Sequence, residues 1–103
     1  MQQSKVRRVK QMEIGRDLAR WLISLPLNNV LPFGLSEEQI LAIVRSIRTN
    51  TAALEVRREL DWLAESGWVV IRKEPGRSWF ATLTQYAVNE MERAHKAFRS
   101  EWD

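Results

Sequence analysis

The stretch Val56-Arg57-Arg58-Glu59-Leu60-Asp61-Trp62-Leu63-Ala64-Glu65-Ser66-Gly67-Trp68-Val69-Val70 decides the fold. Val56, Leu60 and Leu63 recur at the spacing that puts three apolar side chains on one helical face. Gly67 supplies the positive φ that ends a helix, and Trp68-Val69-Val70-Ile71 has the composition of a strand. Helix, glycine, strand, tight turn and second strand is the order expected of a recognition helix followed by a β-hairpin, which makes DNA binding the first hypothesis. Four acidic residues, Glu55, Glu59, Asp61 and Glu65, stand against it.

Working outward, this helix is expected to run from about Ala52 to Ser66, with Ala53, Val56, Leu60 and Leu63 facing inward. Thr51, Leu54, Arg58, Asp61 and Glu65 are expected to face away, with Arg57 and Trp62 on the flanks. Upstream, Ser36-Glu37-Glu38-Gln39 fits a capping box, with Leu35 and Ile40 as its hydrophobic staple. Ile40, Leu41, Ile43, Val44 and Ile47 give the helix that follows a broad apolar face, and Arg45 and Arg48 lie towards its far end. Thr49-Asn50-Thr51 offers caps for the next helix. An earlier helix carries the stripe Ile14, Leu18, Trp21, Leu22 and Leu25 and is expected to stop at Pro26. Residues 27–35 read as a connection that tucks Leu27, Val30, Leu31 and Phe33 against the core.

Downstream, strands over Trp68–Arg72 and Trp79–Leu83 are joined through Pro75-Gly76, the pair that suits a type II turn. Arg72, Lys73 and Arg77 therefore gather at the hairpin tip. Thr84 can cap a last helix over residues 84–102, whose stripe Ala87, Met91, Ala94, Phe98 and Trp102 is longer than a domain this small can cover. Residues 1–10 read as a flexible basic arm, and 11–103 as one domain.

The chain has 103 residues, no cysteine and a net charge of +3. Disulfides, thiolate metal sites and cysteine nucleophiles are thereby excluded. No apolar run approaches the roughly 18 residues of a membrane span, and no apolar segment follows the basic N-terminus as a signal peptide requires. A cytoplasmic location fits. Lys5, Arg7, Arg8, Lys10, Arg16 and Arg20 face only Glu13 and Asp17 at the front of the chain, whereas Glu90, Glu92, Glu101 and Asp103 slightly outnumber Arg93, Lys96 and Arg99 at the rear. Such asymmetry suits a polyanion on one side.

Three helices, a hairpin and a further helix describe a mainly α fold with a small β-hairpin, the winged helix-turn-helix with an extended C-terminal helix. There the N-terminal half of the recognition helix enters the major groove and the hairpin holds phosphates. Between Arg45 and Arg58 stand four arginines and one acid, and between Glu59 and Glu65 three acids and no base, so the acidic half would point away from a duplex. Base contacts are expected from Asn50, Thr51, Leu54, Arg57 or Arg58, with Arg45, Arg48, Arg72, Lys73, Arg77 and the arm on phosphates. Plainer roles stand beside these. Arg57 can pair with Asp61 four residues on, Thr49-Asn50-Thr51 can merely cap, and Leu54 can meet a protein.

His95 is the only histidine and lies beside an apolar stripe, as a packed or surface histidine does. No carboxylate cluster, phosphate loop or metal-ligand spacing appears, so neither an enzyme nor a cofactor is expected. The tryptophans sit at core spacings.

Val56-Arg57, Leu60, Trp62-Leu63-Ala64-Glu65, Gly67 and Val69, followed by Trp79 and Ala81-Thr82-Leu83-Thr84, resemble small winged-helix proteins of Mu-like phages and prophages, often labelled ArsR-type regulators. The resemblance covers about residues 16–92. It implies a DNA-binding protein in a phage setting. Two departures are visible: Ala87 stands where the group has a glycine, and a charged helix replaces a short Pro/Gly-rich tail. The Cys and His clusters of metal-sensing ArsR proteins are missing, so metal sensing does not carry over.

The sequence thus points to a non-catalytic duplex DNA-binding protein, a phage or prophage transcriptional regulator. It would be a homodimer through Met91, Ala94, Phe98 and Trp102, its two-fold axis setting two recognition helices in successive grooves. The alternatives are a winged helix serving phage assembly or DNA packaging through protein contacts, and a small effector that binds a host protein.

Overall fold

The computed structural model describes residues 18–102, with side chains described for 18–97. Ile14, the basic arm and the side chains of Phe98 and Trp102 lie outside the described residues. Helix α1 covers 18–29, and β1 (Leu35–Ser36) leads into α2 (Glu37–Arg45). Then follow α3 (Ala53–Glu65), β2 (Val69–Arg72), β3 (Phe80–Leu83) and α4 (Gln85–Trp102). The result is a mainly helical domain with a small three-stranded antiparallel sheet in the order β1-β3-β2.

The local signals of α2 and α3 are met by physical bonds. The Ser36 hydroxyl accepts from the Gln39 N–H at 3.2 Å, and the Gln39 side chain accepts from the Ser36 N–H at 2.9 Å, closing the capping box. At the far end of α3, Gly67 takes φ +78°. The Trp68 N–H then reaches the Leu63 carbonyl at 2.8 Å and the Gly67 N–H the Ala64 carbonyl at 3.1 Å. This is the paired bonding of a Schellman motif, and it turns the chain sharply into β2. Gly76 (φ +71°) follows Pro75, and the Arg77 N–H bonds to the Glu74 carbonyl at 3.1 Å, closing the type II turn.

The core lies between the helices and one face of the sheet. Ile23 and Leu27 from α1, Ile40 and Val44 from α2, and Val56, Leu60 and Leu63 from α3 meet Val69, Ala81 and Leu83 from the sheet and Ala87 and Met91 from α4. Arg20 adds a cationic tie, its guanidinium 4.7 Å from the Trp62 ring and 5.1 Å from the Trp68 ring.

Several expectations need correction. Helix α1 does not stop at Pro26 but continues to residue 29. Proline costs the helix about 3 kcal/mol. The extra turn buries Leu27 completely, a gain of about 1.5–3 kcal/mol, and partly buries Val30 against the same core. Leu31 and Phe33 are not tucked in, since 37% and 74% of their surfaces remain exposed. Ile47 is also exposed, because α2 ends at Arg45 and no longer fixes its direction. Ala53 is exposed and Thr51 buried, the reverse of the helical-wheel expectation. Thr51 precedes the helix, and its position is set by a turn: its N–H and hydroxyl both bond to the Arg48 carbonyl, at 3.2 and 2.9 Å. The N-cap of α3 is Ala52, with no side-chain cap, so Thr49-Asn50-Thr51 does not supply one.

A third strand, β1, lies within what reads as connection and loop before α2. It pairs Leu35 with Ala81 and Ser36 with Phe80. Gly34 makes this pairing possible. A Cβ there would stand 2.7 Å from both Phe80 Cε1 and Thr82 Oγ1, and closer still to the Ala81 carbonyl oxygen. Replacing Gly34 by alanine should therefore destabilise the domain by about 2 kcal/mol or more. Urea unfolding measures it, and a midpoint equal to that of the wild type would show that β1 yields without cost.

Candidate nucleic-acid interface

Arg57 leaves α3 on the flank that faces the start of α2 and the turn end of the hairpin. Its Nε and Nη2 donate to Glu37 Oε2 and Oε1 at 2.6 and 2.7 Å. Glu37 in turn accepts from the Trp79 N–H at 3.2 Å and donates its own N–H to the Trp79 carbonyl at 2.8 Å. The Arg57 guanidinium lies 4.7 Å from the centre of the Trp79 ring, and Lys73 Nζ lies 4.1 Å from it. The same ammonium donates to Asp61 Oδ1 at 2.7 Å, and the Ser78 hydroxyl donates to the Glu38 carboxylate. Three elements (α2, α3 and the hairpin) are thus joined through one small polar cluster.

The cluster revises the local reading of Arg57. Its carboxylate partner is Glu37, twenty residues away, and Asp61 serves Lys73 instead. A bidentate fork on a carboxylate is the stronger geometry for an arginine, and only the tertiary fold brings Glu37 into place. The Arg57 hydrogen bonds hold the Glu37 carboxyl below its ordinary value, outweighing the partial burial that acts the other way. Arg57 is pushed higher, chiefly by the same bonds, and stays charged.

The remaining candidates fall into separate groups. Arg45 donates from Nε to the Thr51 carbonyl at 2.9 Å and so braces the α2–α3 turn. Thr51 is largely buried there, with 9% of its surface exposed. Arg48 and Arg58 line a hollow of about 230 Å³ between α1, α2 and α3, shared with Glu55 and Glu59. Asn50 is exposed in the α2–α3 turn. On the opposite flank of α3, Arg57, Lys73 and Arg77 line a cleft of about 640 Å³ with Glu37, Glu38 and Glu74. Leu54 is 59% exposed and lies over a smaller hollow with Leu41, Ala53, Glu37 and Glu38. At the hairpin tip Glu74 pairs with Arg77 at 3.3 Å and more distantly with Arg72 at 3.8 Å, both in the open. Arg72 also stands 5.0 Å from the Phe80 ring.

Charge divides unevenly along the chain. Residues 1–17 hold five basic and two acidic side chains, the whole of the net +3, and residues 18–103 balance eleven of each. Any excess of positive charge over residues 18–103 must therefore come from how the side chains are placed and not from their number.

On α4, Ala87 and Met91 are buried and Ala94 is exposed, so cover gives out halfway along the stripe. Met91 and Ala94 border a groove of about 580 Å³ with Trp21, Leu25, Val88 and His95. Among the described residues no helix is long and apolar enough to cross a membrane, and no group of side chains has the composition of a metal site.

The residues that sequence reasoning missed are Glu37 and Trp79. Glu37 shows only as part of a helix cap, and Trp79 only as a strand residue; nothing local announces their meeting.

The lowered pKa of Glu37 gives a signed expectation. Its charge stabilises the folded state above the ordinary value of 4.5, and that contribution is lost as pH falls below it. The stability gap between wild type and Glu37→Gln should be constant from about pH 7 to 5 and narrow towards pH 3. Urea unfolding across that range tests it, and a gap independent of pH would refute it. Comparisons with protein-family models, curated sequences and solved structures gave no match.

Proposed function

We propose that the domain is a winged helix-turn-helix that binds duplex DNA without catalysing a reaction, with α2 and α3 as the helix pair and the β2–β3 hairpin as the wing. The observation that carries this is the placement of cations on both flanks of α3. Among the described residues Arg48 and Arg58 have no ion-pair partner. On the other flank Arg77 keeps 78% of its side chain exposed, and its open pairing with Glu74 holds it only weakly. An exposed helix with cations on either side suits a major groove, where one helix lies between two phosphate strands. Leu54 and Asn50, at the N-terminal end of that helix, would meet base edges, and Lys73 and Arg72 would follow the wing onto phosphate. The basic first residues would supply the salt-dependent part of the affinity. The resemblance to winged-helix proteins of Mu-like phages supports a regulator in a phage or prophage, acting in the cytoplasm.

A second reading has its own support. The even charge balance of residues 18–103 and the acidic pair Glu37 and Glu38 beside exposed Leu54 suit a protein-contact module of phage assembly or packaging. Binding to random duplex DNA over a salt series separates the two. DNA binding predicts affinity falling steeply with salt, with Arg58→Ala and Arg77→Ala each reducing the slope by about one. A folded protein with no affinity at about 50 mM salt would favour the protein contact.

We also propose a homodimer through the outer half of α4, which would set two recognition helices in successive grooves. Light scattering should then return twice the chain mass, and a monomer at high protein concentration would rule the dimer out.

A further inference from the structure

Arg57 spends only part of its guanidinium on Glu37. The carboxylate takes the Nε–H and one Nη2–H, which leaves the outer Nη1/Nη2 edge of the fork unspent by Glu37. Stacking on Trp79 restricts how that plane can turn. The side chain is 41% exposed and borders the cleft between α3 and the hairpin. A free arginine must give up rotamer freedom before it can make a bidentate contact, whereas this one is already held. The two ends of the guanidinium therefore have different tasks, one structural and one open to a ligand. The pair of acceptors that such an edge fits is O6 and N7 of guanine in the major groove.

We propose that Glu37 is a positioning residue that presents the outer edge of Arg57 to a guanine, so that removing this acid reduces sequence discrimination although it removes a negative charge. The inference rests on the DNA-binding reading above. It runs against the simple electrostatic expectation, under which loss of Glu37 would only strengthen attraction to phosphate. Lysine cannot replace Arg57 here, because a single ammonium has no fork to divide between two partners.

The test selects duplexes from a random pool with the wild type, Glu37→Gln and Arg57→Lys, and reads base preference position by position. The wild type should show one position where guanine is preferred by about tenfold or more. Both variants should flatten that position and leave the others, with an unchanged helical circular dichroism spectrum. Tighter binding by Glu37→Gln with the preference intact would mean that the acid only masks Arg57. A uniform loss over all sequences would mean that Arg57 holds phosphate. Either result overturns the proposal.

An independent measurement on the free protein is the Arg57 Nε–H resonance, expected to exchange slowly in the wild type and rapidly in Glu37→Gln. Rapid exchange in the wild type would overturn the clamp itself. A wild type that selects no duplex while this proton stays protected would instead sink the DNA-binding reading, and the guanine contact with it, leaving the clamp as a structural tie.

Discussion

The arrangement depends on the junction between Gly67 and Thr84. The Thr84 hydroxyl lies 2.6 Å from the Gly67 carbonyl oxygen and 3.1 Å from that of Trp68, and it accepts the Ala87 N–H at 3.1 Å. The Thr84 N–H adds a bond to the Trp68 carbonyl at 3.0 Å. The end of α3, the start of β2, the end of β3 and the start of α4 are thereby tied at one point. Four chain ends would otherwise leave several polar backbone groups without partners. With the point fixed, α3 and the hairpin leave it in set directions, and the cleft lined by Arg57 and Lys73 is a consequence of that divergence.

A second tie closes the same cleft from the far side. Glu37 and Trp79 exchange backbone and side-chain bonds where β1 passes into α2, and Arg57 and Lys73 both stand over the Trp79 ring. The junction at Gly67 is made of backbone and one hydroxyl, so it is insensitive to charge. The tie at Glu37 is ionic, and its strength varies with protonation and salt. The hairpin is thus held by one bond set that ignores solution conditions and one that follows them.

What could be read from the sequence was whatever local chemistry determines. The capping box at Ser36, the glycine stop at Gly67, the Pro75-Gly76 turn and the Thr84 cap each depend on a few neighbouring residues, and all four are found. The inward row Val56, Leu60 and Leu63 was legible for the same reason. The errors lie where tertiary contact overrides a local rule. Pro26 stays within α1 because Leu27 is wanted in the core, Thr51 is drawn inward by the Arg48 carbonyl, and β1 exists only because β3 is there to pair with it. The site was legible as a set of basic residues but not as an arrangement. Arg57 and Glu37 are too far apart in the chain for any periodicity to connect them, and the division of cations between two flanks of α3 emerges only on folding.

Strand β2 has an implication for how the chain behaves among its own copies. It is an outer strand of the sheet, so among the described residues one side of its backbone has no strand neighbour, and Val70 on it is 64% exposed. Such an edge is a template on which another molecule can add a strand and begin aggregation. Here the hazard is kept small by length and by the flanks. Only Val69–Arg72 is extended, the Gly67 turn ends it on one side, and at the other Arg72 and Lys73 carry charged side chains partnered by Glu74 and Asp61. A second copy would find little backbone to pair with and would have to desolvate charged side chains at one end of it. The short strand and its charged end therefore limit edge-to-edge pairing of the sheet.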